Sequence, residues 1–156
     1  RFTSKLADVV RIPEPVRADL SLNELVRSVD ALTRIECRKR NISLSLSLAD
    51  PDTIIRADGI QLEQVLVNIV KNAYEAIGHD GRIRIVTTAD PPSVTVEDNG
   101  PGIPEEIRKQ LFTPFFTTKP SGQGIGLMFV REVLNNHRMA FSLTSQNGCT
   151  RFEISV

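Results

Sequence analysis

Asn68 and Asn72 stand four residues apart in the run "QLEQVLVNIVKNAYEAI", and at about 100° per residue they share one helical face with Glu75 beside them. Asparagine is a mediocre helix former, so two on one edge are solvated surface positions, partners of a neighbouring strand, or the edge of a ligand site. Carboxamide oxygens suit the last role, because Mg²⁺ takes oxygen ligands together with substrate phosphates. Farther along, Asp98 closes an alternating apolar run and is followed by Gly100 and Gly102 in "VEDNGPGI". Those residues make ordinary turns. They also suit a carboxylate acceptor facing a ligand, with glycine backbone able to come close. In "SGQGIGL", Gly122, Gly124 and Gly126 alternate just before the apolar run "LMFVREVL", which leaves N–H groups free to meet phosphate at a helix N-terminus. No Gly-Lys-Ser/Thr follows, so this is not a Walker loop, and no strand leads straight into it as a dinucleotide fingerprint requires.

Regular elements must hold these groups. Phe2 to Val10 reads as the end of a helix cut off by Pro13 and Pro15. Ser21, with Glu24 three residues later, predicts an N-cap and a helix of about 18 residues with Leu25, Val29, Leu32 and Ile35 as its stripe. "ISLSLSL" is a one-sided strand, and "TIIRA" is expected to be its short partner. Asp58 caps the next helix, whose stripe is Leu62, Val65, Leu66, Ile69, Val70, Ala73, Ala76 and Ile77. "RIRIVTTA" and "SVTVED" follow as strands, Pro104 opens a short helix to Leu111, and residues 113–122 read as a loop. A helix from about Gly124 to His137 and the strands "AFSLTS" and "TRFEISV" complete the chain. The pattern predicts an α+β two-layer sandwich, one mixed sheet with helices on one face.

The 156 residues carry 19 basic and 19 acidic side chains, which gives no electrostatic case for nucleic acid or an anionic membrane surface. Cys37 and Cys149 lack CxxC or His-rich spacing, so neither a disulfide framework nor a zinc site is expected, and a reducing cytosol fits. No apolar run reaches the ~18 residues of a membrane span, and "RFTSKLADVV" has no signal-peptide core.

Taken in order, Asn68-x3-Asn72-Ala73, Asp98-x-Gly100-x-Gly102-Ile103, "LFTPFFTTK" and Gly122-x-Gly124-x-Gly126-Leu127 resemble the N, G1, F and G2 boxes of the ATP-binding catalytic domain of bacterial sensor histidine kinases. The resemblance covers roughly Ser21 to Val156, and "NAYEAI" and "TPFFTTK" look closest to the nitrogen-regulation and dicarboxylate-sensing type. It implies the histidine kinase/gyrase-type ATPase fold and Mg·ATP as cofactor. Asp98 would receive the adenine amino group, Gly100 and Gly102 would shape the pocket floor, and Ile103 would pack on the base. Asn72 would hold Mg²⁺, and Asn68 would help contact metal or phosphates. Gly122, Gln123, Gly124, Ile125, Gly126 and Leu127 would line the triphosphate. Residues 112–122 would form a lid, with Phe115 and Phe116 as apolar anchors and Lys119 near the phosphates, whereas Phe112 suits core packing equally well. Glu75 stands where many relatives carry a basic phosphate ligand, and is left as a water-mediated metal contact or a solvated acid. Arg138 and Met139 replace a Gly-Gly turn common in the family.

ATP-hydrolysing relatives of the same fold carry a glutamate base where this sequence has Asn68. A carboxamide is a poor base, so the γ-phosphate would be kept for another acceptor. The resemblance makes that acceptor a histidine on a dimerisation hairpin outside this stretch, with relay to a response-regulator receiver domain. Of the two histidines, His79 sits in the turn "GHDG" without flanking heptads, and His137 reads as closing a helix C-terminus, where a cation is favoured. Residues 1–15 would be the hairpin's last turns and linker, and 16–156 the catalytic domain: monomeric and cytoplasmic by itself, from a parent expected to be a homodimer with anchorage in the inner membrane open. The alternatives are a nucleotide-binding regulatory module and an anti-sigma-type serine kinase, although the latter usually keeps an acid at the Asn68 position.

Overall fold

The computed structural model describes residues 12–108 and 126–156. Strand β1 (Ala18–Ser21) runs into helix α1 (Leu22–Lys39). Ser21 caps the helix as its spacing to Glu24 predicts, accepting the Glu24 N–H at 3.1 Å. The Asp52 carboxylate reinforces this end: it accepts the Ser21 hydroxyl and, at 3.1 Å, the Asn23 N–H. The buried stripe differs from the expected one. Leu25 and Val29 face the core, but Leu32 and Ile35 are 61% and 65% exposed, and Leu22, Val26, Thr33 and Cys37 complete the inner face. The small polar Thr33 fits inside because its hydroxyl donates to the Val29 carbonyl at 2.8 Å.

The alternation of "ISLSLSL" forms β2 (Ile42–Ser47), and "TIIRA" gives β3 (Ile54–Ala57), but the two do not pair. β3 lies antiparallel to β1, with Ala18 opposite Ala57 and Ser21 opposite Ile54. The Leu22 N–H extends this ribbon by donating to the Thr53 carbonyl at 3.0 Å. β2 instead takes a parallel partner, β4 (Gly81–Ala89). A parallel pair needs a long crossover, and α2 (Gly59–Ile77) supplies it. Asp58 caps α2, as expected, through the Gln61 N–H at 3.1 Å.

β4 turns back into β5 (Pro92–Asp98), which is followed by the short α3 (Glu105–Arg108). After α4 (Gly126–Asn136), β6 (Ala140–Gln146) and β7 (Cys149–Ser155) form a hairpin. Asn147 and Gly148, with φ of 53° and 73°, make the left-handed two-residue turn that suits strand twist. The five-stranded sheet runs β2-β4-β5-β7-β6, antiparallel except for the first pair. Helices cover one face: Val26 and Val29 of α1, Val65 and Val70 of α2, and Val130, Val133 and Leu134 of α4 are wholly buried. This is the expected α+β two-layer sandwich, with the β1–β3 ribbon added.

His137 closes the C-terminus of α4, its N–H donating to the Val133 carbonyl at 3.0 Å, but it does so inside the fold. It is buried, its Nδ1 lies 2.9 Å from the Val133 carbonyl, and its Nε2 accepts the Asp58 N–H at 3.0 Å. The ring thus bonds through both of its nitrogens. It ties the end of α4 to the start of α2.

Asp58 joins these parts to the residues before β1, since its carboxylate also accepts the Val16 N–H at 2.9 Å. Burial alone would raise its pKa, but hydrogen bonds from the backbone N–H groups of Val16, Gln61 and Ile60 outweigh burial and hold the carboxyl below its usual range. A depressed folded-state pKa contributes stability above the unfolded value near ~3.9, and loses it as pH falls through the folded value. Asp58→Ala should therefore cost about 1 kcal/mol in urea unfolding at pH 7. The gap from the parent protein should narrow as pH drops below about 4; an unchanged gap at acid pH would assign the loss to packing instead of charge.

Candidate functional site

One row across the helix-facing side of the sheet places the chemistry. The pairs Leu44–Ile83, Ile83–Asp98, Asp98–Thr150 and Thr150–Ser145 put these side chains in line from β2 to β6. The next row is apolar, with Leu46, Ile85, Val96, Phe152 and Leu143. The polar end of the sheet thus begins where the core stops. Over it lies the C-terminal half of α2, and between them is a cleft lined by Ile69, Asn72, Ala73, Ala76, Val96, Asp98, Gly102, Ile103, Leu127, Leu143, Thr150 and Phe152. Nine of the twelve are apolar or glycine; Asn72, Asp98 and Thr150 supply the polar groups. Apolar walls with a few convergent polar groups suit a flat, mostly apolar ligand that has one hydrogen-bonding edge.

Asp98 is held from its own turn. The Gly100 N–H donates to its Oδ1 at 2.8 Å, and a Cβ on Gly100 would lie 3.0 Å from that oxygen and 3.3 Å from Ile77 Cγ1. A side chain at this position would therefore crowd the loop where it folds back on the carboxylate. Partial burial pushes the Asp98 pKa up, and the Gly100 hydrogen bond offsets part of the rise. Gly102, at φ +84°, takes a left-handed turn that brings Ile103 to the cleft.

Of the residues singled out in sequence, Asn72, Asp98, Gly102, Ile103 and Leu127 meet at this cleft. Asn68 lies one turn earlier on α2, half-buried and off the cleft lining. Gly100 acts from behind, through Asp98. Gly126 is the first residue of α4. Phe112, Phe115, Phe116, Lys119, Gly122, Gln123, Gly124 and Ile125 lie outside the described residues. So do the N-terminal helix over Phe2 to Val10 and the end of the Pro104 helix beyond Arg108. His79 is in the exposed turn after α2, its Nδ1 2.7 Å from Asp80 Oδ2. Thr150, Leu143 and Phe152 were not anticipated in the cleft. Their inward positions follow from strand alternation, but their place beside Asp98 depends on β7 pairing with β5, which lies far upstream.

A family model described as "Histidine kinase-, DNA gyrase B-, and HSP90-like ATPase" matches residues 57–156. Sporulation kinase A of Bacillus subtilis is 34% identical over 158 residues, covering 96% of this chain and 26% of that protein. The C4-dicarboxylate transport sensor protein DctB of Rhizobium meliloti is 34% identical over 140 residues, covering 87% of this chain and 22% of that protein. The chain thus spans about a quarter of the length of these curated relatives. Among solved structures, the nucleotide-free catalytic domain of histidine kinase ThkA superposes with a TM-score of 0.81 at 35% identity, covering 90% of this chain and 94% of that one. ThkA in complex with the response regulator protein TrrA gives 0.80 at 29% identity, covering 99% and 48%. Full-length ShkA in complex with AMPPNP gives 0.84 at 25% identity, covering 96% and 33%.

The raised pKa of Asp98 has an opposite stability sign to that of Asp58. Between the unfolded and folded values the folded state binds more protons, so stability falls as pH rises through that window, and at neutral pH the charged carboxylate is a net cost. Asp98→Asn should leave the melting temperature at pH 7 unchanged or raise it by a few degrees. A collapse of the circular dichroism melt would make Asp98 a structural residue.

Proposed function

Because this chain belongs to the family of histidine kinase-, DNA gyrase B- and HSP90-like ATPases, we propose that it binds ATP with magnesium in the cleft under α2 and passes the γ-phosphate to a histidine. The acceptor would be carried by a helical dimerisation hairpin of the same kinase, with relay to a response-regulator receiver domain. The observation that carries the reading is Asp98, a partly buried carboxylate lining an apolar-walled cleft that Asn72 also lines.

Asp98 accepts the exocyclic amino group of adenine, and the neighbouring Thr150 hydroxyl meets the adjoining ring edge. Ile103, Ala73 and Leu127 exclude water from the base faces. Asn72 faces the phosphates, as does the start of α4, where Gly126 and Leu127 begin a helix whose free N–H groups favour anions. By the family resemblance, Lys119, Phe115 and the run Gly122 to Ile125 would be the residues that meet the triphosphate. Among the described residues no cluster of His, Cys, Asp or Glu side chains suits a metal ion. A carboxamide oxygen from Asn72 together with phosphate oxygens fits magnesium, which is commonly held through few protein ligands. Magnesium, when bound, neutralises phosphate charge that develops during transfer. Asn68, a carboxamide one turn away, gives water no effective base and so favours transfer over hydrolysis.

Residues 1–15 serve in this reading as the hairpin's exit and linker, and 16–156 as the catalytic domain. The linker is tied to the domain at the start of α2: Gln61 Nε2 donates to the Pro13 carbonyl at 2.9 Å, and just after it Val16 bonds to Asp58. They grip the chain at the end of α2 remote from Asn72. A homodimeric parent with this domain in the cytoplasm completes the proposal.

Isothermal titration with the non-hydrolysable analogue AMPPNP should give magnesium-dependent binding. Asn72→Ala and Asp98→Ala should weaken it roughly tenfold to a hundredfold with the melt preserved. Absence of binding by the unaltered protein would overturn the nucleotide reading. With a phosphoacceptor hairpin supplied in trans, ³²P-labelled ATP should yield an acid-labile phosphoryl bond; an acid-stable one would identify a serine kinase.

A further inference from the structure

Ser145, on β6, is outside the cleft lining yet bonded to two residues that form it. Its Oγ accepts the Ile103 N–H at 2.9 Å and lies 3.3 Å from Thr150 Oγ1. A Cβ on Gly102 would come within 2.8 Å of the same oxygen, so the loop after Asp98 is pressed onto this hydroxyl. Strand pairing sets Ser145 opposite Thr150, and Thr150 opposite Asp98. Strands β6 and β7 and the loop after β5 therefore meet at one oxygen.

We propose that Ser145 is the positioning residue for base recognition, clamping the Gly102–Ile103 floor and setting the Thr150 hydroxyl as a donor into the cleft. It rests on the nucleotide reading above. A hydroxyl has one proton and two lone pairs. One lone pair of Ser145 is taken by the Ile103 N–H; the contact with Thr150 Oγ1 can carry either proton, and the proposal makes Ser145 its donor. The Thr150 proton is then left for a ligand. Asp98 offers acceptors only, apart from the oxygen already bonded to Gly100. Acceptor beside donor matches a ring edge with an amino group flanked by a bare ring nitrogen, as in adenine. The 6-oxo, N1–H edge of hypoxanthine or guanine reverses both.

The test is titration with Mg·ADP and Mg·IDP. Ser145→Ala should weaken ADP about tenfold and IDP much less, so the ADP-to-IDP affinity ratio shrinks several-fold while the melt holds. Ser145→Thr, which keeps the hydroxyl, should restore both affinity and ratio. Equal losses for the two nucleotides, or no loss, would overturn the positioning role, as would failure of Ser145→Thr to rescue in a protein that melts normally. If Ser145→Ala does not fold, the Ser145→Thr ratio and a Thr150→Val variant decide: Thr150→Val must itself shrink the ratio. A parent protein that binds neither nucleotide would instead bring down the site assignment on which this rests.

Discussion

The burial of one stripe of α2 against the sheet is the constraint from which the rest of the molecule follows. Val65, Leu66, Ile69, Val70 and Ala73 lie within a few per cent of complete burial, and together they fix the rotation of the helix about its axis. A helix residue cannot turn independently of its neighbours. With that stripe inward, Asn72 must emerge on the flank that overlooks the polar end of the sheet. Truncating any one of the large members would cost a few kcal/mol. Site geometry and core packing are thus the same property of α2.

Beneath it, the sheet changes character between one row and the next, two residues along each strand. The Val96–Phe152–Leu143 row belongs to the core, and the Asp98–Thr150–Ser145 row next to it is polar. Carboxyl and hydroxyl groups at this depth need partners. They find them in loop backbone: Gly100 N–H for Asp98 and Ile103 N–H for Ser145. The glycines between these N–H groups let the loop approach closely enough to serve both. The arrangement leaves Asp98 with a raised pKa, a local cost consistent with a group kept for binding.

At the other end of the same helices, Asp58 and His137 form a second junction. The Asp58 carboxylate holds the start of α2 and the backbone of Val16, while its N–H is taken by the buried imidazole at the end of α4. Arg17 adds a bond to the Asn136 carbonyl at 2.9 Å. α2 and α4 run antiparallel between this junction and the cleft, where Asn72 of α2 and Leu127 of α4 both line the walls.

Much of this was legible in the chain itself. The 3.6-residue periodicity of α2, the caps at Ser21 and Asp58, the alternation of β2, β4 and β5 and the Asn-Gly turn are local signals, each carried by neighbouring residues, and they determined the elements and the fold class. The pairing of Asn72 with Asp98 was readable only as ordered motifs resembling a known family. Tertiary structure alone decided that β3 joins β1 and not β2, that Leu32 and Ile35 of α1 face outward, that His137 is an internal acceptor, and that Thr150 and Ser145 stand beside Asp98. Each of these depends on contacts between segments tens of residues apart, where register and burial are settled by the packing of whole layers, and no local pattern of residue types encodes which strand will lie next to which.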